Sequence, residues 1–329
     1  MRVLVVTNMY PSPERPAFGT FVRDQVEDLR RAGIEVDIFY IEGRQSLRNY
    51  VAGIFRFWRQ LTQQRYDLVH AHYTHGGLIA RLQFLYPVIL THHGSDLLSS
   101  TRTVMKLSRV LHPLFSRVIV VSKQMLDIFN DNRTVLIPCA IDLEAMKPIP
   151  VVEARQQLGL SPEKPLVLFA GQHWQRVKRF ELLEQAMSLV KQRCPEAELV
   201  IVAGKPHSVI PLYMSACDVL ALTSRSEGSP MVIKEAMACN VPIVSVDVGD
   251  VAQVISGVDG CYIAEPTPED VAEKILLTLT ARQRTRGREK ITHLGSGPIT
   301  QRIISLYNEL CRPNRRVELA HLPEIDQPM

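Results

Sequence analysis

With 329 residues, 46% of them hydrophobic and 6% aromatic, the chain exceeds one typical compact domain and suits two of about 150 residues, each with its own core. Charged residues make up 22% and the net charge is +4, too mild to argue by itself for a nucleic-acid partner. Six scattered cysteines without a C-x-x-C pair exclude a disulfide scaffold or a zinc finger, and no apolar run approaches the roughly 20 residues of a membrane helix or a signal-peptide core, so a soluble cytoplasmic protein is expected.

Short apolar, β-branched runs at residues 3–7, 34–40, 68–71, 88–91, 118–121 and 135–137 read as strands. They are apolar on both faces, as in a parallel sheet covered by helices. After the first run, Thr20 is expected to cap a helix whose buried stripe is Phe21, Val22, Val26 and Leu29, and which Gly33 ends. A second helix is expected to bury Leu47, Tyr50, Val51, Ile54, Phe55, Trp58 and Leu61. Beyond Pro148 and Pro150 a second series begins. Its strands are expected at 166–170, 198–203, 219–223 and 242–246, with helices near 180–192, 211–217 and 232–239. Strands alternating with helices mean βαβ units, so the fold class is α/β: two doubly wound, parallel-sheet, Rossmann-like domains joined near 145–150. The polar residues from Pro313 onward read as a loosely held tail.

In such sheets ligands sit beyond the C-terminal ends of the strands. Gly228 lets the backbone approach a ligand, and Pro230 suits a helix's first turn. The free N–H groups of Ser229, Met231 and Val232 and the helix dipole then favour a diphosphate. Glu227 and Glu235, as acceptors, suit sugar or ribose hydroxyls. The competing reading is a surface loop with an acid favoured by the helix dipole. After the 166–170 strand, Gly171, Gln172, Arg176 and Lys178 precede another helix. Cations are disfavoured at a helix start, which points to a phosphate partner.

These residues carry a resemblance. Glu227 and Glu235, with seven residues between them in S-E-G-S-P-M-V-I-K-E-A-M-A, resemble the E-x7-E signature of family-four retaining glycosyltransferases of GT-B fold. The similarity extends to Phe18-Gly19-Thr20, Thr91-His92-His93-Gly94-Ser95-Asp96, Ile137-Pro138-Cys139-Ala140-Ile141-Asp142 and Val246-Asp247-Val248-Gly249-Asp250. It implies an acceptor domain at 1–147, a donor domain at 148–298, a helix at 299–312 packing back on the first domain, and a tail at 313–329. It implies that Glu227 contacts the donor sugar and Glu235 the ribose, that His93 faces the transferred sugar, and that Gly19 approaches donor and acceptor. Lys178 matches the family's lysine, but Gln172 stands where the family has an arginine, with Arg176 a nearby substitute. The implied reaction moves a hexose from a nucleoside diphosphate to a hydroxyl of a glycan or lipid-linked glycan, with retention. UDP is expected ahead of GDP or ADP. No D-x-D motif occurs, so no metal and no cofactor beyond the donor is expected. Relatives carry a further helix and strand, involved in base recognition, where this chain has only residues 204–218. A sugar-nucleotide epimerase of the same architecture and a catalytically weak sugar-nucleotide-binding protein remain as alternatives.

Residues 43–66 and 97–126 contain no acid. The first segment holds Arg44, Arg48, Arg56, Arg59 and Arg65, the second Arg102, Lys106, Arg109, Arg117 and Lys123. Solvated helix faces would explain them. Two basic helices would also hold the acceptor domain on an anionic leaflet, at about 1 kcal/mol per cation, making the protein peripheral on the inner face of the cell membrane.

Overall fold

The computed structural model describes residues 1–311 apart from 14, 16–17, 43–46, 99–101 and 130, with backbone alone at 47–51 and 102. The expected tail lies outside the described residues, as do Arg44 and the side chains of Leu47, Arg48, Tyr50, Val51 and Arg102.

The chain opens on a six-stranded parallel sheet of β1 (Arg2–Thr7), β2 (Glu35–Tyr40), β3 (Leu68–His72), β4 (Val88–His92), β5 (Arg117–Val120) and β6 (Thr134–Leu136), in the order β2-β1-β3-β4-β5-β6. Its helices are α1 (Thr20–Arg31), α2 (Leu47–Gln63), α3 (Tyr73–Ala80), α4 (Arg102–Leu111) and α5 (Lys123–Phe129). The alternation in β1 divides the core: Val3 and Val5 pack with Val22, Val26 and Leu29 of α1, and Leu4 and Val6 with Phe57, Leu61 and Ile79.

A second, five-stranded sheet has the order β11-β10-β9-β7-β8. Its strands are β7 (Leu166–Ala170), β8 (Glu198–Val202), β9 (Val219–Leu222), β10 (Ile243–Val246) and β11 (Cys261–Ala264). The helices around it are α6 (Val151–Leu158), α7 (Phe180–Arg193), α8 (Ile210–Ala216), α9 (Met231–Ala238), α10 (Val251–Ile255), α11 (Pro268–Ala281) and α12 (Gly287–Lys290). The last helix, α13 (Ser296–Cys311), returns to pack on α1 and β3. One continuous apolar cluster runs from Val3 through Ile141 and Met146 to Leu166 and Ile243, so the two sheets share buried surface. The chain crosses between them twice, side by side: Ile141 N donates to Leu294 O at 3.0 Å and Ser296 N to Ile141 O at 3.1 Å.

Three local expectations are corrected. Thr20 is the first residue of α1, not its cap; the capping position is Gly19, left-handed at φ +72°, with no side-chain bond. A Cβ on Gly19 would lie 2.6 Å from the Met9 carbonyl carbon, so close backbone approach decides the residue there. In α2, Phe57 is fully buried while Phe55 and Trp58 are 74% and 39% exposed. Apolar residues at 54, 55, 57, 58 and 61 cover a wider arc than the sheet can bury, and the sheet takes the side centred on Phe57. Finally, the edge strand β11 was absent from the sequence reading, because C-Y-I-A is short and weakly patterned.

Candidate active site in the interdomain cleft

The loop from β9 to α9 carries Glu227, whose Oε1 accepts from Lys178 Nζ and from Ser224 Oγ, both at 2.7 Å. Lys178 is brought there by a single 3-10 turn, Arg176–Lys178, that is tied to the same loop. Thr223 Oγ1 donates to the Lys178 and Arg179 carbonyls, and Arg225 N to Val177 O at 2.7 Å. The pair therefore rests on two loops that hold each other. Gly171 lies beside it: a Cβ there would sit 3.7 Å from Lys178 Cε. Gln172 and Arg176 are exposed and do not join it. The Gln172 amide oxygen accepts from Gln175, and Arg176 makes no ion pair among the described residues.

Pro230 precedes α9, whose first N–H groups have no carbonyl within the helix to bond. Val232 packs half-buried against the core. Ser229 Oγ donates to Asp250 Oδ2 at 2.5 Å and accepts from Lys234 Nζ at 2.6 Å. Lys234 is fully buried and also donates to the Cys139 carbonyl of the first domain at 2.8 Å. The sequence reading missed Lys234, since its partners are Ser229, Asp250 and a carbonyl 95 residues away. Glu235, one residue on, accepts from His207 Nε2 at 3.0 Å. That bond raises the imidazole pKa above its ordinary value, against a smaller effect of burial.

Across the cleft, His93 follows β4. Its ring lies 4.7 Å from Phe21 and 4.8 Å from Tyr73, centroid to centroid. His93 Nε2 is 2.9 Å from His72 Nδ1, and His93 Nδ1 is 3.9 Å from Cys139 Sγ. His72 stacks on His70, which is held between the Tyr307 hydroxyl (2.5 Å) and Thr91 Oγ1 (2.7 Å). Burial pushes the His93 pKa down to about 4 and that of His70 to about 3, and drives His72 well below its usual value. These imidazoles are neutral at pH 7. His72 is thus the neighbour that orients His93. His92 points away and bonds Asp96 at 2.6 Å. Burial would raise the Asp96 pKa, but the His92 ring holds it below the carboxylate range.

A narrow cavity of about 30 Å³ lies between the domains, lined by Phe21, Asp24, His93, Cys139, His207 and Met231 among others. Gly94 and Gly228 meet beside the His93 carbonyl. Gly19 contacts Met9 and Tyr10. Among the described residues no group of three or more His, Cys, Asp or Glu side chains is placed to hold a metal ion. No described helix is long and apolar enough to cross a membrane.

Comparison with known proteins agrees with this architecture. Residues 1–145 match the family model described as Glycosyltransferase Family 4, and residues 164–281 the model described as Glycosyl transferases group 1. A Bacillus subtilis glycosyltransferase named for teichuronic acid biosynthesis is 24% identical, over 84% of this chain and 88% of its own length. Sucrose-phosphate synthase from Thermosynechococcus elongatus superposes with a TM-score of 0.80 at 21% identity, over 94% of this chain and 98% of that one. The Anabaena protein HepE, solved with UDP and glucose, gives 0.75 at 17% identity, over 94% of this chain and all of that one.

Proposed function

The chain belongs to the family-four, group 1 glycosyltransferases of GT-B fold, and from that premise we propose that it moves a hexose from a nucleoside diphosphate to a hydroxyl of a glycan or lipid-linked glycan, with retention of configuration. The observation that carries this reading is the Lys178–Glu227 pair, set where the loop opens into α9. As the sugar–diphosphate bond breaks, negative charge grows on the departing oxygen. The Lys178 ammonium and the N–H groups of Ser229, Met231 and Val232 are fixed where they lower that barrier. Arg176, exposed and in no ion pair among the described residues, adds a second cation; Gln172 adds a hydrogen bond without charge. Glu227 then takes donor-sugar hydroxyls, Glu235 the ribose, and neutral His93 a sugar hydroxyl. Protein cations take the part that a metal plays in other transferases. The UDP-bound Anabaena structure of the same fold supports UDP as the donor nucleotide.

Thermal stabilisation by UDP, GDP and ADP, each with magnesium and with EDTA, tests the reading. At a hundredfold excess over Kd the true nucleotide adds about 2.7 kcal/mol to stability, and EDTA leaves that unchanged. If no nucleotide stabilises the protein, the donor site is misassigned. An epimerised sugar nucleotide formed without acceptor would favour the epimerase reading.

A lipid-linked acceptor is favoured by one further observation. Between residues 43 and 126 the acids are Asp67 and the buried Asp96 alone, against Arg56, Arg59, Arg65, Arg81, Lys106 and Arg109 among other cations. Phe55, Phe84, Leu85 and Val110 are exposed in the same stretch. Cations interleaved with exposed apolar side chains suit an anionic leaflet. Sedimentation with phosphatidylglycerol vesicles at low salt should carry the protein down; a protein left in the supernatant removes the membrane from the proposal.

A further inference from the structure

Between β8 and β9 the chain runs only from residue 203 to residue 218, and a 3-10 turn, His207–Val209, leads there directly into α8. The turn sets His207 against Glu235, Nε2 to Oε1 at 3.0 Å. Glu235 is only 11% exposed, so a carboxylate there without a partner carries a large desolvation cost. Accepting the reading of Glu235 as the ribose carboxylate, we propose that His207 is the positioning residue of the nucleotide subsite, turning Glu235 so that Oε2 meets the ribose hydroxyls and making nucleotide affinity depend on the charge of the imidazole.

The surroundings favour the charged ring. Glu235 faces it from α9, and Asp24 from α1 across the cleft, with Arg23, paired to Asp24 at 2.6 Å, opposing. Asp28 of α1 and Asp142 of the interdomain passage line the same cavity. Burial and Arg23 work against the proton, but the Glu235 bond outweighs them and raises the pKa. An imidazolium donates from both nitrogens. Once neutral, the ring carries one proton, which can sit on Nδ1, where no described side chain receives it. The hold on Glu235 therefore loosens as pH rises through the raised pKa. The same imidazole stands between the two domains, so loss of its charge also removes an attraction toward Asp24.

The test is the dissociation constant of UDP for the whole chain between pH 6 and 9, by titration calorimetry, for the wild type, H207Q and H207A. The wild type should bind progressively more weakly with rising pH, with the midpoint above 6.5. H207Q keeps a donor but no titration, so its affinity should follow only the ionisation of UDP itself. H207A should bind about tenfold more weakly than wild type at pH 6, the scale of a lost charged hydrogen bond. Turnover at saturating donor should change little in either variant, since the ribose is remote from the breaking bond. Wild-type and H207Q pH profiles that superimpose would overturn the proposal, even if H207A binds weakly through a folding defect. If UDP, GDP and ADP all fail to bind the wild type, the nucleotide reading falls and takes this one with it. If they bind and E235A binds equally well, Glu235 is misassigned and His207 positions nothing.

Discussion

Gly94 and Gly228 touch backbone to backbone across the cleft: a methyl group on Gly94 would stand 2.4 Å from the Gly228 Cα, and one on Gly228 2.2 Å from the His93 carbonyl oxygen. Gly249 closes the third side, 2.6 Å from Gly228 O by the same measure. Gly94 also holds φ +104°, which side chains avoid. Alanine at either Gly94 or Gly228 therefore wedges the domains apart. G228A should raise the radius of gyration in solution scattering and cut kcat at least about tenfold, an effect of roughly 1.4 kcal/mol. An unchanged radius with full turnover would show that the contact is dispensable.

Lys178 and Glu235 should separate kinetically. K178A removes a cation that acts on charge developing during bond cleavage, so kcat should fall by about 10²–10³ while UDP binds nearly as before. E235A should weaken UDP binding and spare kcat. Equal losses in both parameters for both variants would mean that the two roles are wrongly divided.

Lys234 is fully buried, bonded to Ser229 Oγ and the Cys139 carbonyl and 3.5 Å from Asp250 Oδ2. In K234M the Asp250 carboxylate stays buried without its cation, a change of about 3–5 kcal/mol. At roughly 2–4 °C per kcal/mol, Tm should drop by about 10 °C. A smaller loss in the double variant K234M/D250N than in K234M would trace the damage to the stranded carboxylate.

Acid should destabilise the first domain. His70 and His93 have folded pKa values of about 3 and about 4, below the unfolded value near 6.5, and His72 lies low as well. The folded state binds fewer protons, so this stability is complete above pH 6.5 and is lost as pH falls through 6.5 toward 4. Each ring contributes at most about 1.4 kcal/mol per pH unit. Urea unfolding at pH 7 and pH 5 should show the loss, and H70Q should show a smaller one, whatever its stability at pH 7.

The double-wound architecture was legible because buried parallel strands such as V-L-V-V and L-V-L-F-A have to be apolar throughout, a local property of the chain. The Lys178 and Glu227 positions were legible from their placement after strands, although nothing in their spacing tells that the two side chains meet at 2.7 Å. What escaped the sequence depends on partners far along the chain. His72 reads as an ordinary strand histidine until His93, 21 residues later, lies beside it. Lys234 looks like a helix-surface charge until the other domain covers it. His207 lies in a stretch that sequence marked only as a missing insertion. Phe55 and Trp58 were assigned to the core because periodicity locates an apolar arc without telling how much of it the sheet covers.

The paired passages at Ile141 and Gly295 act on the domains as two pins act on a door. A single tether would permit swing and twist in any direction; two tethers hydrogen-bonded side by side leave one rotation. Opening to release product and closing on a fresh donor are then the same arc travelled in opposite senses. One distance, for instance between dyes at the exposed positions 84 and 174, one in each domain, reports the whole trajectory, and the slower of its two rates sets a ceiling on turnover.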